Sequence, residues 1–465
     1  MIVFNFVKKN NNIKELTIEN RLKGSLFGFF VGDALGVPVE FFSREELKKH
    51  RIKDMEEFGT HHQPKGTWSD DSSMVIATID SLNKNNGINY SDIMNNFIKW
   101  YKNGEYTPFG EVFDIGNATA VALNKYVNDQ KDFRCGSSEV YSNGNGSLMR
   151  ILPISLYLHY TDDDMYEVVR NISSMTHSHI FSVFSCIIYT VYINELLKEN
   201  DKIGAYYAMQ QIIKNILEDN RFAFIGDQMA LKNIFDRLIY HDISKYEEKG
   251  IKSSGYVVDT LEAAFWCLLT TESYSDSVLK AVNLGDDTDT VAAITGGLSG
   301  LVYGYDSIPI RWVNLLKQKD TLDKYVIDFI KVLMNDKEAK LKNQFDIQIL
   351  DNVIYALKND PNACTTIGGM TSVDGSFAIP ESYPGSDLRA FMKYFYENGF
   401  IDTNCVDNFK MIAHKPIEDY TYDDCLTALT QIFREDRFIS GHIYGCFKNG
   451  TLLKVIEQLK NNISL

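Results

Sequence analysis

The chain has 465 residues, 45% of them hydrophobic and 12% aromatic, and a formal net charge of −15. That length exceeds one comfortable core, so two domains are expected, and an acidic balance with no local basic patch excludes a nucleic-acid or anionic-membrane surface. Seven scattered cysteines without metal-type spacing read as reduced thiols of a cytoplasmic protein. The opening MIVFNFVKKNNN is too short in its apolar run for a secretion signal, and the longest apolar stretches are interrupted by Asp33 or polar residues, so no membrane span is expected.

In chain order, Thr17 followed by Glu19 and apolar residues at helical spacing marks a helix start. Gly24, Gly28, Gly32 and Gly36 then recur every four residues, one stripe of that helix. Residues 66–82, GTWSDDSSMVIATIDSL, place Ser69, Asp70 and Asp71 before a clean helical pattern of Met74, Ile76, Ala77, Ile79 and Leu82. Residues 107–123 read as a turn and a helix capped near Asp114–Asn117, with capping as the default role of Asp114.

Asn143–Ser147 is a Gly/Asn run ahead of an apolar segment. It reads as an ordinary loop or as an anion cradle of backbone amides opening a helix, and its spacing matches neither the dinucleotide-binding nor the P-loop pattern. His177 and His179 lie two apart, off a shared helix face, which argues against a joint zinc site. Segments 205–218, 222–240 and 256–270 continue as helices, with Phe265 and Trp266 in the core. No sustained alternation demands a sheet, so the fold class is all-α.

The stretch NLGDDTDTVAAITGGLSGLVYG, residues 283–304, repeats both earlier themes. Asp286, Asp287, Asp289 and Thr290 gather acidic and hydroxyl oxygens, and Ala292, Gly296, Gly300 and Gly304 form a second small-residue stripe. A glycine inside a helix costs about 1 kcal/mol relative to alanine, so such stripes predict that another backbone packs unusually close. Crossing the two striped helices, glycine face to glycine face, would carry Asp33 and Glu40 toward the second acidic group. Several aspartates within a few positions repel one another unless a cation absorbs the charge, and oxygen-rich, thiol-free clusters suit a hard divalent ion such as Mg²⁺.

Further helices are expected near 311–317 and 321–334, and the charged Asn335–Lys342 reads as a linker or an exposed helix end. Domains are therefore drawn at 1–340 and 346–465. The second has helical patterns at 386–398, 421–434 and 451–463, a Gly/Pro/Ser-rich stretch at Gly368–Gly385, and isolated His414 and His442 to which no chemistry is assigned. It reads as a mainly helical accessory domain.

Five motifs in order, GDALGVPVE (32–40), WSDDS (68–72), NGNGSLMR (143–150), THSH (176–179) and GDDTDT (285–290), resemble the ADP-ribosylglycohydrolase family over roughly residues 17–335. The resemblance implies a compact all-α catalytic domain, one or two Mg²⁺ ions (Mn²⁺ being possible), and hydrolysis of an N- or O-glycosidic bond to ADP-ribose in a modified protein or small conjugate. It places Ser69, Asp70, Asp71, Asp287, Asp289 and Thr290 at the metal, with Ser69 where the family usually has threonine, and leaves Asp286 out. Glu40, Asp70 and Asp71 are the implied catalytic carboxylates. Asp33, Asp114, Gly144, Asn145, Gly146, Ser147, Met149 and His177 are the implied substrate contacts. Two other readings compete: a non-catalytic ADP-ribose-binding or immunity module, and a Mg²⁺ phosphohydrolase releasing AMP. Neither the acceptor linkage nor the oligomeric state is legible.

Overall fold

A computed structural model of the chain describes residues 16–129, 132–199, 201–219, 227–344, 346–367, 381–402, 405–436 and 441–464. The N-terminal MIVFNFVKKNNN, the start of the 222–240 segment and most of Gly368–Gly385 lie outside them. Helices supply the regular structure. Among the described residues the one sheet is a two-stranded antiparallel ladder of Cys364–Ile367 with Glu381–Pro384. The chain divides after Asn335 into two compact units. The charged Asn335–Lys342 is no separate linker; it lies within the helix Lys319–Gln344.

In the first unit, the helix Ile18–Gly36 starts at Thr17, whose hydroxyl accepts the amide of Asn20 at 3.2 Å. From Arg21 to Gly36 this early helix is buried, apart from Lys23. Its partner is the late helix Thr288–Tyr303, and the pairing runs in opposite directions: Gly24 meets Gly300, Gly28 meets Gly296, and Gly36 meets Asp289. A methyl group built on Gly28 would lie 2.4 Å from the Gly296 carbonyl oxygen, and one on Gly296 would lie 2.1 Å from that of Gly28. No side chain fits between these backbones. The expected stripe is thus present, with one change: Gly304 sits past the helix end as its cap, at φ 79°.

Polar groups lock the crossing. Ser25 donates to the Gly297 carbonyl (2.9 Å), Tyr274 to that of Gly28 (2.8 Å) and Thr288 to that of Gly36 (2.8 Å). Among the described residues two helices, Ile18–Val39 and Ile180–Lys198, are long and apolar enough to cross a membrane. Since 94% and 78% of their apolar windows are buried inside the fold, they are accounted for as core helices.

Around this pair lie Asp70–Asn85, Tyr90–Asn103, Ile180–Glu199, Lys202–Glu218 and Val257–Leu269, enclosing Phe29, Phe30, Trp68, Trp312 and Phe265. The helix after Asp114 is Asn117–Asn128; Gly116 is its N-cap and no side chain caps it, so the expected cap at Asp114 is not formed. The second unit packs Ile347–Asn359, Ser386–Glu397, Tyr422–Glu435 and Thr451–Ser464 around Leu350, Phe391, Phe395, Leu429 and Ile456.

Because the helix crossing leaves no space for a methyl group, Gly28→Ala and Gly296→Ala should each destabilise the protein by about 1–3 kcal/mol. The double variant should cost less than the sum, since both strain one contact. Gly250→Ala, with nothing near its added carbon, should stay within about 0.5 kcal/mol. Denaturant unfolding checks this, and an unchanged midpoint in Gly28→Ala would show that the backbones are not in contact.

Candidate active site

The two acidic stretches are both helix starts, and the crossing brings them together. Ser69 is the N-cap of Asp70–Asn85: its hydroxyl accepts the Asp71 amide at 3.3 Å and donates to Asp71 Oδ2 at 3.1 Å. From the late helix, Thr290 Oγ1 donates to the same Asp71 Oδ2 at 3.2 Å. Residues 219 positions apart thus touch. Glu40, Asp287 and Asp289 each offer a carboxylate oxygen within 4.8 Å of the others'. Asp286 points elsewhere; it is exposed, at φ 61°, and exchanges backbone hydrogen bonds with Phe41 and Phe42.

Asp33 departs from the implied role. Instead of meeting a substrate it is fully buried. Its two oxygens accept the amide of Ser69 (2.9 and 3.1 Å), and one also accepts the amide and hydroxyl of Ser72 (3.0 and 2.5 Å). Asp33 therefore positions the Ser69–Asp71 turn from below, by satisfying amides at a helix start.

The Asn143–Met149 loop also differs from a simple amide cradle. The Asn145 amide is committed to the Gly255 carbonyl (3.0 Å), and the following helix begins only at Leu152. Asn145 contributes through its side chain, donating to Asp287 Oδ2 (2.8 Å) and Thr260 Oγ1 (2.9 Å), so it orients a candidate metal ligand. Ser147 and Met149 are buried in the core, Ser147 accepting a hydrogen bond from Ser173 at 3.0 Å. Gly144 and Gly146 remain partly exposed above His177, which is itself buried. A methyl group on Gly146 would meet the His177 ring at 2.7 Å. Burial, with Arg150 nearby, lowers the His177 pKa to about 3, so this ring is neutral and its Nδ1 is shared with Thr176. It supports the loop rather than attracting an anion by charge.

One residue of the site is absent from the sequence reading. His61 Nε2 hydrogen-bonds Glu40 Oε2, and His61, Glu40 and Asp114 bring one ligating atom each within 4.8 Å. Phe41 and Phe113 flank the imidazole with ring centroids at 6.0 and 5.3 Å. The signal available was only that His61 lies just upstream of the WSDDS motif. Asp114, freed from capping, joins Asp70 and Trp68 along a narrow crevice.

The electrostatics are those of concentrated buried negative charge. Burial first, and the other carboxylates second, push Asp70, Asp71 and Asp289 well above the usual carboxylate range. Burial likewise raises Asp287 and Asp114, brings Asp33 to about 6 and brings Glu40 to about 7. His61 is raised by its hydrogen bond to Glu40. Two carboxylate oxygens, Asp71 Oδ1 and Asp287 Oδ1, are buried without a hydrogen-bond partner. An unpartnered buried carboxylate oxygen is costly unless something cationic meets it. The donor set, all carboxylate and hydroxyl oxygen, fits a hard divalent cation.

A family model described as ADP-ribosylglycohydrolase matches residues 14–339, and one described as a family of unknown function (DUF6508) matches residues 342–464. The chain is 31% identical to the ADP-ribosylarginine hydrolase Tri1 of Serratia proteamaculans over 65% of this chain and 77% of that protein. It is 25% identical to the ADP-ribosyl-dinitrogen reductase glycohydrolase of Rhodospirillum rubrum, over 65% and 92%. A solved structure titled as an ADP-ribosylglycohydrolase-related protein complex superposes with a TM-score of 0.56 at 26% identity, covering 68% of this chain and 98% of that one.

A carboxyl group whose pKa is raised by folding favours the folded state in its neutral form. That contribution is full below the ordinary carboxylate pKa of about 4. It is lost as pH rises through the folded values, about 6 for Asp33 and about 7 for Glu40. Metal-free protein should therefore melt at a lower temperature at pH 8 than at pH 5.5, and Mg²⁺ should raise the melting temperature more at pH 8. Thermal scans with EDTA or Mg²⁺ test this; a pH-independent melt with no Mg²⁺ response would contradict the charge cluster.

Proposed function

The chain belongs to the ADP-ribosylglycohydrolase family, and on that premise we propose that it is a divalent-metal-dependent hydrolase releasing ADP-ribose from an N-glycosidic, arginine-type conjugate. The observation that carries this reading is the meeting of Asp71 with Thr290, which joins two remote acidic helix starts into one oxygen-rich pocket. The relative named as an ADP-ribosylarginine hydrolase supports the arginine linkage over serine, nucleobase or ester.

Ser69, Asp70, Asp71, Asp287, Asp289 and Thr290 would hold the metal, with Mg²⁺ as the first candidate and Glu40 close enough to join them. A cation held there would supply Lewis-acid polarisation at the ribose. The chain's own residues do the rest. Asn145 keeps Asp287 turned inward, and Asp33 keeps the Ser69–Asp71 turn in place. Glu40, with a pKa of about 7, is suited to hold or accept a proton near neutral pH as the glycosidic bond breaks through an oxocarbenium-like state. Asp114 sits beside it as a second carboxyl group. All seven cysteines are buried free thiols, which supports action in a reducing, cytoplasmic compartment.

The test is incubation with ADP-ribosyl conjugates linked through arginine, serine, a nucleobase or an ester, with Mg²⁺ or EDTA, and product identification by mass. Free ADP-ribose from the arginine conjugate, only with metal, is expected. AMP would indicate phosphohydrolase chemistry, and binding without turnover would indicate a sequestering module. Asp70→Asn and Asp287→Asn should each lower the rate by about 100-fold or more while circular dichroism is unchanged. Full activity in either variant would remove the metal mechanism.

A further inference from the structure

Trp68 borders two separate spaces. One is the acidic crevice with Ser69, Asp70 and Asp114. The other is a cavity of about 470 Å³, bounded by Tyr106, Leu322, Tyr325 and Thr321, which none of the candidate metal ligands enters. Its size is that of small-molecule sites, about 300–1,000 Å³.

The cavity walls are preformed. The Tyr106 hydroxyl donates to Asp80 Oδ2 at 2.8 Å, and the Tyr106 carbonyl accepts Trp68 Nε1 at 3.4 Å. Gln318 Nε2 donates to the Pro108 carbonyl at 3.2 Å, and the Lys317 amide to that of Gly66 at 3.0 Å. Backbone strain is concentrated here as well. Seven described non-glycine residues have positive φ. Phe41 and Asp286 flank the acidic pocket, Asn86 ends a helix, and Phe58 and His62 belong to one hairpin. The remaining two, Tyr106 (66°) and Gln318 (51°), both line this cavity. Left-handed backbone at non-glycine residues costs on the order of 1–3 kcal/mol each and gathers at ligand sites.

The lining specifies chemistry. Tyr106 and Tyr325 offer partly exposed aromatic surface, the buried Trp68 closes the wall behind them, Asn103, Gln318 and Thr321 offer hydrogen bonds, and Glu105 is the single charged residue. No lysine or arginine is present to neutralise a phosphate. We propose that this cavity is a second ligand site, for a flat nitrogen heteroaromatic of nucleoside size that is uncharged or cationic. Trp68 directly precedes Ser69 and is buried in the cavity wall, so an occupant held against Tyr106 and Tyr325 packs on the segment that leads into the turn carrying Asp70 and Asp71.

Calorimetric titration of the full chain with adenosine and with 1-methylnicotinamide, each with and without saturating ADP-ribose, tests this. Expected is one saturable site at about 0.1–1 mM for at least one probe, with AMP weaker by about 10-fold. Thr321→Trp, an exposed rim position, should weaken binding about 10-fold by filling the cavity. Glu105→Lys, also exposed, should weaken 1-methylnicotinamide about 5-fold relative to adenosine if the cation binds. No saturable binding, undiminished binding in Thr321→Trp, or displacement by ADP-ribose would overturn the proposal. Binding is read without turnover, so its failure is separable from failure of the hydrolase reading.

Discussion

The contact on which the rest of the first unit depends is backbone against backbone, where the helix Ile18–Gly36 crosses the helix Thr288–Tyr303. Glycine inside a helix is unfavourable by itself, and here it is offset by an approach that no side chain would allow. Backbone has no rotamers to relax into, so the crossing is stiff. Its far end is the site: Gly36 abuts Asp289, Thr288 is bonded to the Gly36 carbonyl, and Asp33 holds the Ser69–Asp71 turn. Rigid placement of oxygen ligands is what an ion that accepts few geometries requires.

That rigidity opposes a strong electrostatic penalty. Carboxylates at Glu40, Asp70, Asp71, Asp287 and Asp289 are held close together and largely out of water; burial raises the pKa of each, and neighbouring carboxylates raise it further. Helix starts favour anions, so Asp71 and Asp289 gain from the local dipoles, but by amounts small beside the mutual repulsion. The repulsion is tolerated because the surrounding core, from Phe29 to Trp312, is large and continuous. Stability is spent to keep charge where a cation would bind.

The fold class and the helix crossing were legible because both rest on short-range rules: a period of four in small residues, and helical spacing of apolar ones. The acidic groups were legible as groups, since side chains that repel one another stand out. What individual site residues do was less visible. Asp33 and Asn145 act by hydrogen-bonding segments far away in the chain, and such a partner leaves no trace in local spacing. Ser147 and Met149 share a motif with Gly144 and Gly146, yet the turn directs them inward to the core. His61 was missed because a single histidine carries no pattern; only the fold brings it to Glu40. Asp114 was read as a cap because local rules favour that, whereas burial among carboxylates is a tertiary property.

The same crossing has a consequence for biosynthesis. Gly24 and Gly300 are partners in the finished fold, so the early helix leaves the ribosome long before the segment that covers it. At about 5–20 residues per second, the wait is on the order of tens of seconds. Throughout that interval a 22-residue stretch with the length and hydropathy of a membrane span lies without its native cover. Chain elongation, not helix formation, therefore sets the earliest moment at which this domain closes.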